Sequence, residues 1–122
     1  MVTVPERWAI DGGDSAVATL VIPADARRER RFEIACAMTV ALPAVGNPRG
    51  ATGEAWHQMT VQANGTEQWR RRVPTHNPGQ FDGLDYRFSR SVPVGQSLRL
   101  TVSVATGGAR RRSLQIEADQ IA

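Results

Sequence analysis

The sequence has no lysine, one cysteine and few aromatic residues, 6% in all. A single thiol, Cys36, rules out an internal disulfide framework and any Cys-x-x-Cys redox or zinc motif. No apolar run approaches the roughly 18–20 residues that a helix needs to cross a bilayer. The opening residues show no basic segment followed by an apolar one, so no secretory leader is expected and the expectation is a soluble, cytoplasmic chain. All 15 basic side chains are arginine. That usage fits GC-rich coding in a bacterial source better than a functional demand.

What is present is one ordinary domain. The chain has 122 residues, 41% hydrophobic and 22% charged. A domain of this size buries roughly two-thirds of the surface that its unfolded chain exposes, enough for a core without staples. The net charge is +3. It is too small, and too interleaved with acids, to mark a polyanion-binding protein by itself.

Period-two alternation dominates, and no stretch shows a helical stripe. Phe32, Ile34, Cys36, Met38 and Val40 share one face of a strand from Arg30 to Val40. Leu98, Leu100, Val102 and Val104 do the same, as do Leu114, Ile116 and Ala118, and Tyr86 with Phe88. Ala16 to Ile22 is continuously apolar and reads as a strand buried on both faces. Val2 to Ile10 reads as a weak edge strand interrupted by Pro5. Asp11-Gly12-Gly13-Asp14, Pro23-Ala24-Asp25, Asn64-Gly65, Pro93-Val94-Gly95 and Gly107-Gly108 are turn signals. Pro43 to Glu54 and Pro74 to Gln80 read as longer loops. The expectation is therefore all-β: a single antiparallel β-sandwich of about seven or eight strands, immunoglobulin-like or jelly-roll, occupying residues 1–122.

The hairpin at Asn64-Gly65 has two possible registers. A two-residue type I′ turn pairs Thr60 with Trp69 and puts Met59 and Val61 on the opposite face from Trp69 and Val73. A three-residue loop with a G1 bulge at Gly65 pairs Met59 with Trp69 and gathers these apolar residues on one face. The second is expected, because the buried face sets the register. It leaves Trp56, Gln58, Thr60, Gln62, Gln68, Arg70 and Arg72 facing outward.

Chemistry-bearing motifs are sparse. The histidines are His57, inside a strand, and His76, in a Pro/Gly loop. No His-x-x-x-His or Gly-x-Ser-x-Gly spacing occurs. Cys36 has core parity, so its thiol is expected to be buried and inert. Asp11 with Asp14, and Asp82 with Asp85, could offer oxygen ligands to calcium, but aspartate beside glycine is what turns require. No metal or other cofactor is expected. Gly46 to Gly53 is glycine-rich but opens no helix and lacks the Lys-Ser/Thr of a phosphate loop. Asn64-Gly65-Thr66 matches a glycosylation acceptor and reads here as the hairpin turn.

The loop holding His76, Asn77, Gln80 and Asp82 is the densest polar cluster, and it is the place for a base and a carboxylate if the chain were a small enzyme. The arginine groups 27–31, 70–72 and 110–112 read as solvated strand ends; binding of nucleic acid through them is a disfavoured alternative. An outward Trp56 beside Arg70 and Arg72 is the most informative feature. Such a residue anchors a protein interface, stacks on a sugar or a base, or is covered by a guanidinium. The leading expectation is a non-catalytic domain that binds a protein partner, or itself as a homo-oligomer, through an exposed sheet face or edge. Trp56, Arg70, Arg72, His76 and Asp82 are its candidate binding residues. Sugar stacking on Trp56, with Tyr86 as a second platform, is the alternative.

Overall fold

A computed structural model describes residues 4–42, 55–76 and 81–122. Among the described residues, eight strands run β1 (Arg7–Asp11), β2 (Val17–Ile22), β3 (Arg30–Ala41), β4 (Trp56–Ala63), β5 (Thr66–Pro74), β6 (Phe81–Val92), β7 (Leu98–Gly107) and β8 (Arg110–Gln120). They form two antiparallel four-stranded sheets, ordered β1-β8-β3-β6 (sheet A) and β2-β7-β4-β5 (sheet B). The pairs β1–β8, β2–β7, β3–β6 and β4–β5 nest one inside another, as in a long hairpin rolled up. That is the jelly-roll order. In an immunoglobulin sandwich the first strand pairs with the second; here β1 pairs with β8, so that alternative is set aside.

The alternation read from the sequence forms the core. Phe32, Ile34, Cys36, Met38 and Val40 of β3 are buried, as are Leu98, Leu100, Val102 and Val104 of β7 and Leu114, Ile116 and Ala118 of β8. Each of these strands is central in its sheet, so its inward face is covered from both sides. Inward side chains on β1, β5 and β6 lie at the sheet edges and are half-buried: Trp8, Ile10, Trp69, Leu84, Tyr86 and Phe88. Rings at these positions cover the open seams between the sheets, where a small aliphatic side chain would leave a gap.

Four local expectations are corrected. First, β2 is not buried on both faces. Ala18, Leu20 and Ile22 are buried, but Val17 and Val21 are 53% and 48% exposed. β2 ends sheet B, and its outer face meets solvent. Second, the β4–β5 turn is the two-residue type, with Asn64 and Gly65 both left-handed at φ 50° and 81°. Ala63 pairs with Thr66, and the register then shifts between Val61 and Gln62 so that Val61 faces Trp69 and Met59 faces Arg71. The extra residue, Gln68, forms a bulge away from the turn. The predicted face was right and the predicted pairs were not: burial fixed the parity, and a bulge farther along β5 delivered it. Third, Asp82-Gly83-Leu84-Asp85 is no turn but the start of β6. Gly83 is needed because a Cβ there would run into the Met38 carbonyl of β3. Fourth, the first strand begins after Pro5, at Arg7.

The connections β1–β2, β3–β4, β5–β6 and β7–β8 share one end of the sandwich, because Ala41 of β3 pairs with both Phe81 and Arg110. The β2–β3 turn lies at the other end. There Asp25 accepts backbone N–H groups from Arg27 and Arg28 at 2.8 and 3.0 Å. The glycine-rich loop at Gly46 to Gly53, and Asn77 and Gln80, lie outside the described residues.

Candidate functional site

Trp56 opens β4 on the outer face of sheet B. Its indole lies over Gly107 of β7, its register partner, where any Cβ would overlap the indole nitrogen. On the strand to the other side, Gln58 faces Arg72, which makes Arg72 a diagonal neighbour of Trp56. The Arg72 guanidinium carbon sits 3.8 Å from the indole centroid. Its Nε–H donates to Gln58 Oε1 at 3.0 Å. The result is a layered unit of glycine backbone, indole and guanidinium. A stack of this kind is worth about 0.5–1 kcal/mol at an exposed site. Trp56 is thus half-buried rather than a bare platform. Arg70, one pleat away, faces Thr60 and is ion-paired with Glu67 at 2.9 Å. The face continues over Gln62, Thr101 and Thr19, which share one row across three strands.

His76 and Asp82 come together at the loop end of the sandwich, but not as a base and its carboxylate. Asp82 accepts backbone N–H groups from His76 at 3.3 Å and from Gly83 at 3.2 Å. Its carboxylate fixes the chain at the entry to β6. His57, not singled out from the sequence, is the buried histidine of this region. Its Nδ1 is 2.6 Å from Thr75 Oγ1, and among the described residues its Nε2 has no partner. Burial pushes the His57 pKa down, against an upward pull from the Asp82 charge and the Gly83 backbone. The structure therefore forms two clusters, Trp56-Arg72-Gln58 with Arg70 beside it, and His57-Thr75 with Asp82 and His76.

The three arginine groups do not converge. Arg30 and Arg110 lie at opposite ends of β3, since Arg110 pairs with Ala41, and eleven steps of a strand span roughly 36 Å. Within the first group Arg30 is not solvated. It is buried, ion-paired to Glu6 Oε1 at 2.6 Å and donating to the Pro23 carbonyl at 2.6 Å. Arg111 donates to the Asp14 carbonyl at 2.8 Å. Cys36 is buried on the core face, and its pKa is pushed up to about 12 by that burial. Asp11 closes its turn by accepting the Gly13 N–H at 2.9 Å. Among the described residues, no three of His, Cys, Asp and Glu gather as a metal site.

One feature escaped the sequence. Trp69 of β5 stacks on Tyr86 of β6, with centroids 4.7 Å apart and planes 9° from parallel, and Tyr86 stacks in turn on Phe88 at 5.4 Å. This run closes the seam between the edges of the two sheets. The parity of each residue was readable. The meeting of β5 and β6 across the sandwich was not, because it depends on strand order.

No family model matches the chain, and no curated protein matches it. Solved structures similar to it include the insecticidal delta-endotoxin Cry8Ea1 of Bacillus thuringiensis. That match covers 97% of this chain and 20% of the toxin chain, at 16% identity and a TM-score of 0.38. This chain thus spans a fifth of the toxin's length. Another is cowpea mosaic virus top component, the naturally occurring empty particles. It covers 99% of this chain and 86% of that one, at 13% identity and a TM-score of 0.33.

Proposed function

We propose that this jelly roll is a non-catalytic assembly domain that binds a protein, a second copy of itself included, through the outer face or edge of sheet B. The observation that carries the reading is the Trp56-Arg72-Gln58 unit. Tryptophan and arginine dominate the energetic centres of protein interfaces. Here each holds the other in place, so less side-chain freedom is lost when a partner docks. Around them the face offers amides from Gln58 and Gln62 and the hydroxyl of Thr101, which suit a polar rim, whereas Thr60 is buried.

The alternatives draw less support. A sugar stacking on Trp56 has to displace Arg72 from the ring. Nucleic-acid binding needs basic side chains gathered along one path, whereas two of the arginine groups flank opposite ends of β3 and Arg30 is spent on Glu6. The test is sedimentation velocity of the purified chain and of Trp56→Ala, run beside a glycan array and a salt series with single- and double-stranded DNA. Self-association weakened by Trp56→Ala supports the reading. A chain that stays monomeric and binds a glycan or DNA through Trp56 overturns it.

A further inference from the structure

Four strands end the two sheets: β1 and β6 in sheet A, β2 and β5 in sheet B. An exposed edge is a template for pairing with another chain, and folded proteins blunt it with charges, prolines or bulges. Three of these edges are blunted. β1 carries Arg7 and Asp11; β5 carries Glu67, Arg70, Arg71, Arg72 and the bulge at Gln68; β6 carries Asp82, Asp85, Arg87 and Arg90. β2 reads Val-Ala-Thr-Leu-Val-Ile, with no charge, no proline and no bulge.

The backbone of β2 is oriented for addition. The Val104 N–H donates to the Ala16 carbonyl at 2.7 Å, which sets the hydrogen-bonded phase of the β2–β7 ladder. Bonded pairs alternate with non-bonded ones in an antiparallel ladder. Ala18, Leu20 and Ile22 therefore aim their amides and carbonyls at β7, opposite Val102, Leu100 and Leu98. Val17, Thr19 and Val21 aim theirs at the open side of the sheet. The same three residues carry the exposed side chains of the strand.

We propose that β2 pairs with β2 of a second copy of this chain, antiparallel about a two-fold axis at Thr19, making one continuous eight-stranded sheet. This rests on the assembly reading and names its partner. Charge selects the occupant. Pairing β2 with β1, β5 or β6 of another copy sets their charged side chains against its valines. Pairing it with itself sets Val17 against Val21 of the second copy, twice, and Thr19 against its own counterpart, all β-branched cross-strand pairs on one face. The contact is isologous and closes at two copies. Addition of a six-residue strand buries less than the ~800 Å² per partner of a standard interface, so the dimer is weak and must be sought at high concentration.

The experiment is sedimentation velocity from ~5 to ~500 µM on the wild type, Thr19→Lys and Trp56→Ala. It is joined by mild oxidation of Thr19→Cys and, as a control, Val94→Cys in the exposed β6–β7 turn. Because Cys36 is buried, the introduced thiol is the reactive one. A hydrogen-bonded antiparallel pair holds its Cα atoms ~5.5 Å apart, within disulfide range. The expected result is a monomer–dimer equilibrium in the wild type and loss of the dimer in Thr19→Lys with an unchanged melting temperature. Thr19→Cys then gives covalent dimers that Val94→Cys does not. A dimer that survives Thr19→Lys but dissolves in Trp56→Ala overturns the edge pairing and leaves the assembly reading standing. A wild type monomeric throughout, with Thr19→Cys cross-linking no faster than Val94→Cys, overturns the edge pairing outright.

Discussion

Replacing Arg30 with alanine tests the energetics of the fold most directly. Its side chain is 3% exposed, and the paired Glu6 side chain is 21% exposed. The guanidinium ties together three segments: Glu6 ahead of β1, the Pro23 carbonyl after β2, and the Phe32 ring of its own strand, 5.5 Å away. Glu6 in turn accepts from Trp8 Nε1 at 3.0 Å, and its backbone N–H donates to Gln120 Oε1 at 2.9 Å. Arg30→Ala leaves a half-buried carboxylate held by one indole N–H, and a carbonyl without its donor. Breaking a buried pair on one side costs about 3–5 kcal/mol. Unfolding entropy near 2.1 cal/mol/K per residue gives roughly 0.26 kcal/mol/K for a chain of this length, so the melting temperature falls by about 12–20 °C. Two controls frame the result. Arg7→Ala removes contacts to Glu117 and Asp119 that are exposed on both sides, and costs less than about 1 kcal/mol. The double replacement Arg30→Met with Glu6→Leu removes both charges and recovers most of the loss. Calorimetry on the four proteins reads the outcome. A shift for Arg30→Ala no larger than that for Arg7→Ala refutes the reasoning.

Three further outcomes follow from the packing. Gly107→Ala forces the indole of Trp56 off its seat and costs about 1–3 kcal/mol by urea unfolding, whereas Gly95→Ala, with open space around it but a left-handed φ of 77°, reports backbone strain alone. Cys36 stays unlabelled by a thiol reagent at pH 8 and reacts only on unfolding; fast labelling of the native protein contradicts a buried thiol whose pKa is pushed up to about 12. His57 has a folded pKa lowered by burial, so the unfolded chain binds more protons in the window from that lowered value up to the ordinary 6.5. Its contribution to stability is present in full above 6.5 and is lost as pH falls through the folded value, at up to ~1.4 kcal/mol per pH unit. Chemical denaturation between pH 7.5 and 5 should show this slope flattened in His57→Leu, and an equal slope in both proteins counts against it.

The inward faces were legible because burial and pleat share one period. Residues 32 to 40 of even number could only point one way once any of them did. The same rule placed Arg30 on the core face, two residues before Phe32, but a charged residue in a run of arginines reads as solvent-facing until its partner is known. That partner is Glu6, 24 residues earlier, and nothing local joins the two. Strand order hid the rest. Val17 to Ile22 looks like a central strand by composition, yet the roll puts it at an edge. Asp82 and Asp85 look like turn residues, yet Gly83 is there to let β6 pass close to β3.

The candidate site follows the same division. Trp56, Gln58, Arg70 and Arg72 could be set on one face from parity, and they share it. Whether Arg72 lies over the indole depends on the bulge at Gln68, which shifts β5 by one residue and brings Gln58 opposite Arg72. Without that shift, continuing the turn register would place Gln58 opposite Arg71 and send Arg72 to the inner face opposite His57. The bulge therefore has two effects at once. It turns Trp69 inward to meet Tyr86, and it turns Arg72 outward to meet Trp56. Deleting Gln68 takes out the one unpaired residue and leaves Val61 opposite Trp69 and Gln58 opposite Arg72, so both aromatic contacts should survive in an unbroken ladder. Acrylamide quenching of Trp56 and of Trp69, read in Trp69→Phe and Trp56→Phe backgrounds, should then stay at the level of the parent proteins. Quenching that rises at either indole in the deletion variant denies that the extra residue alone sets the two faces.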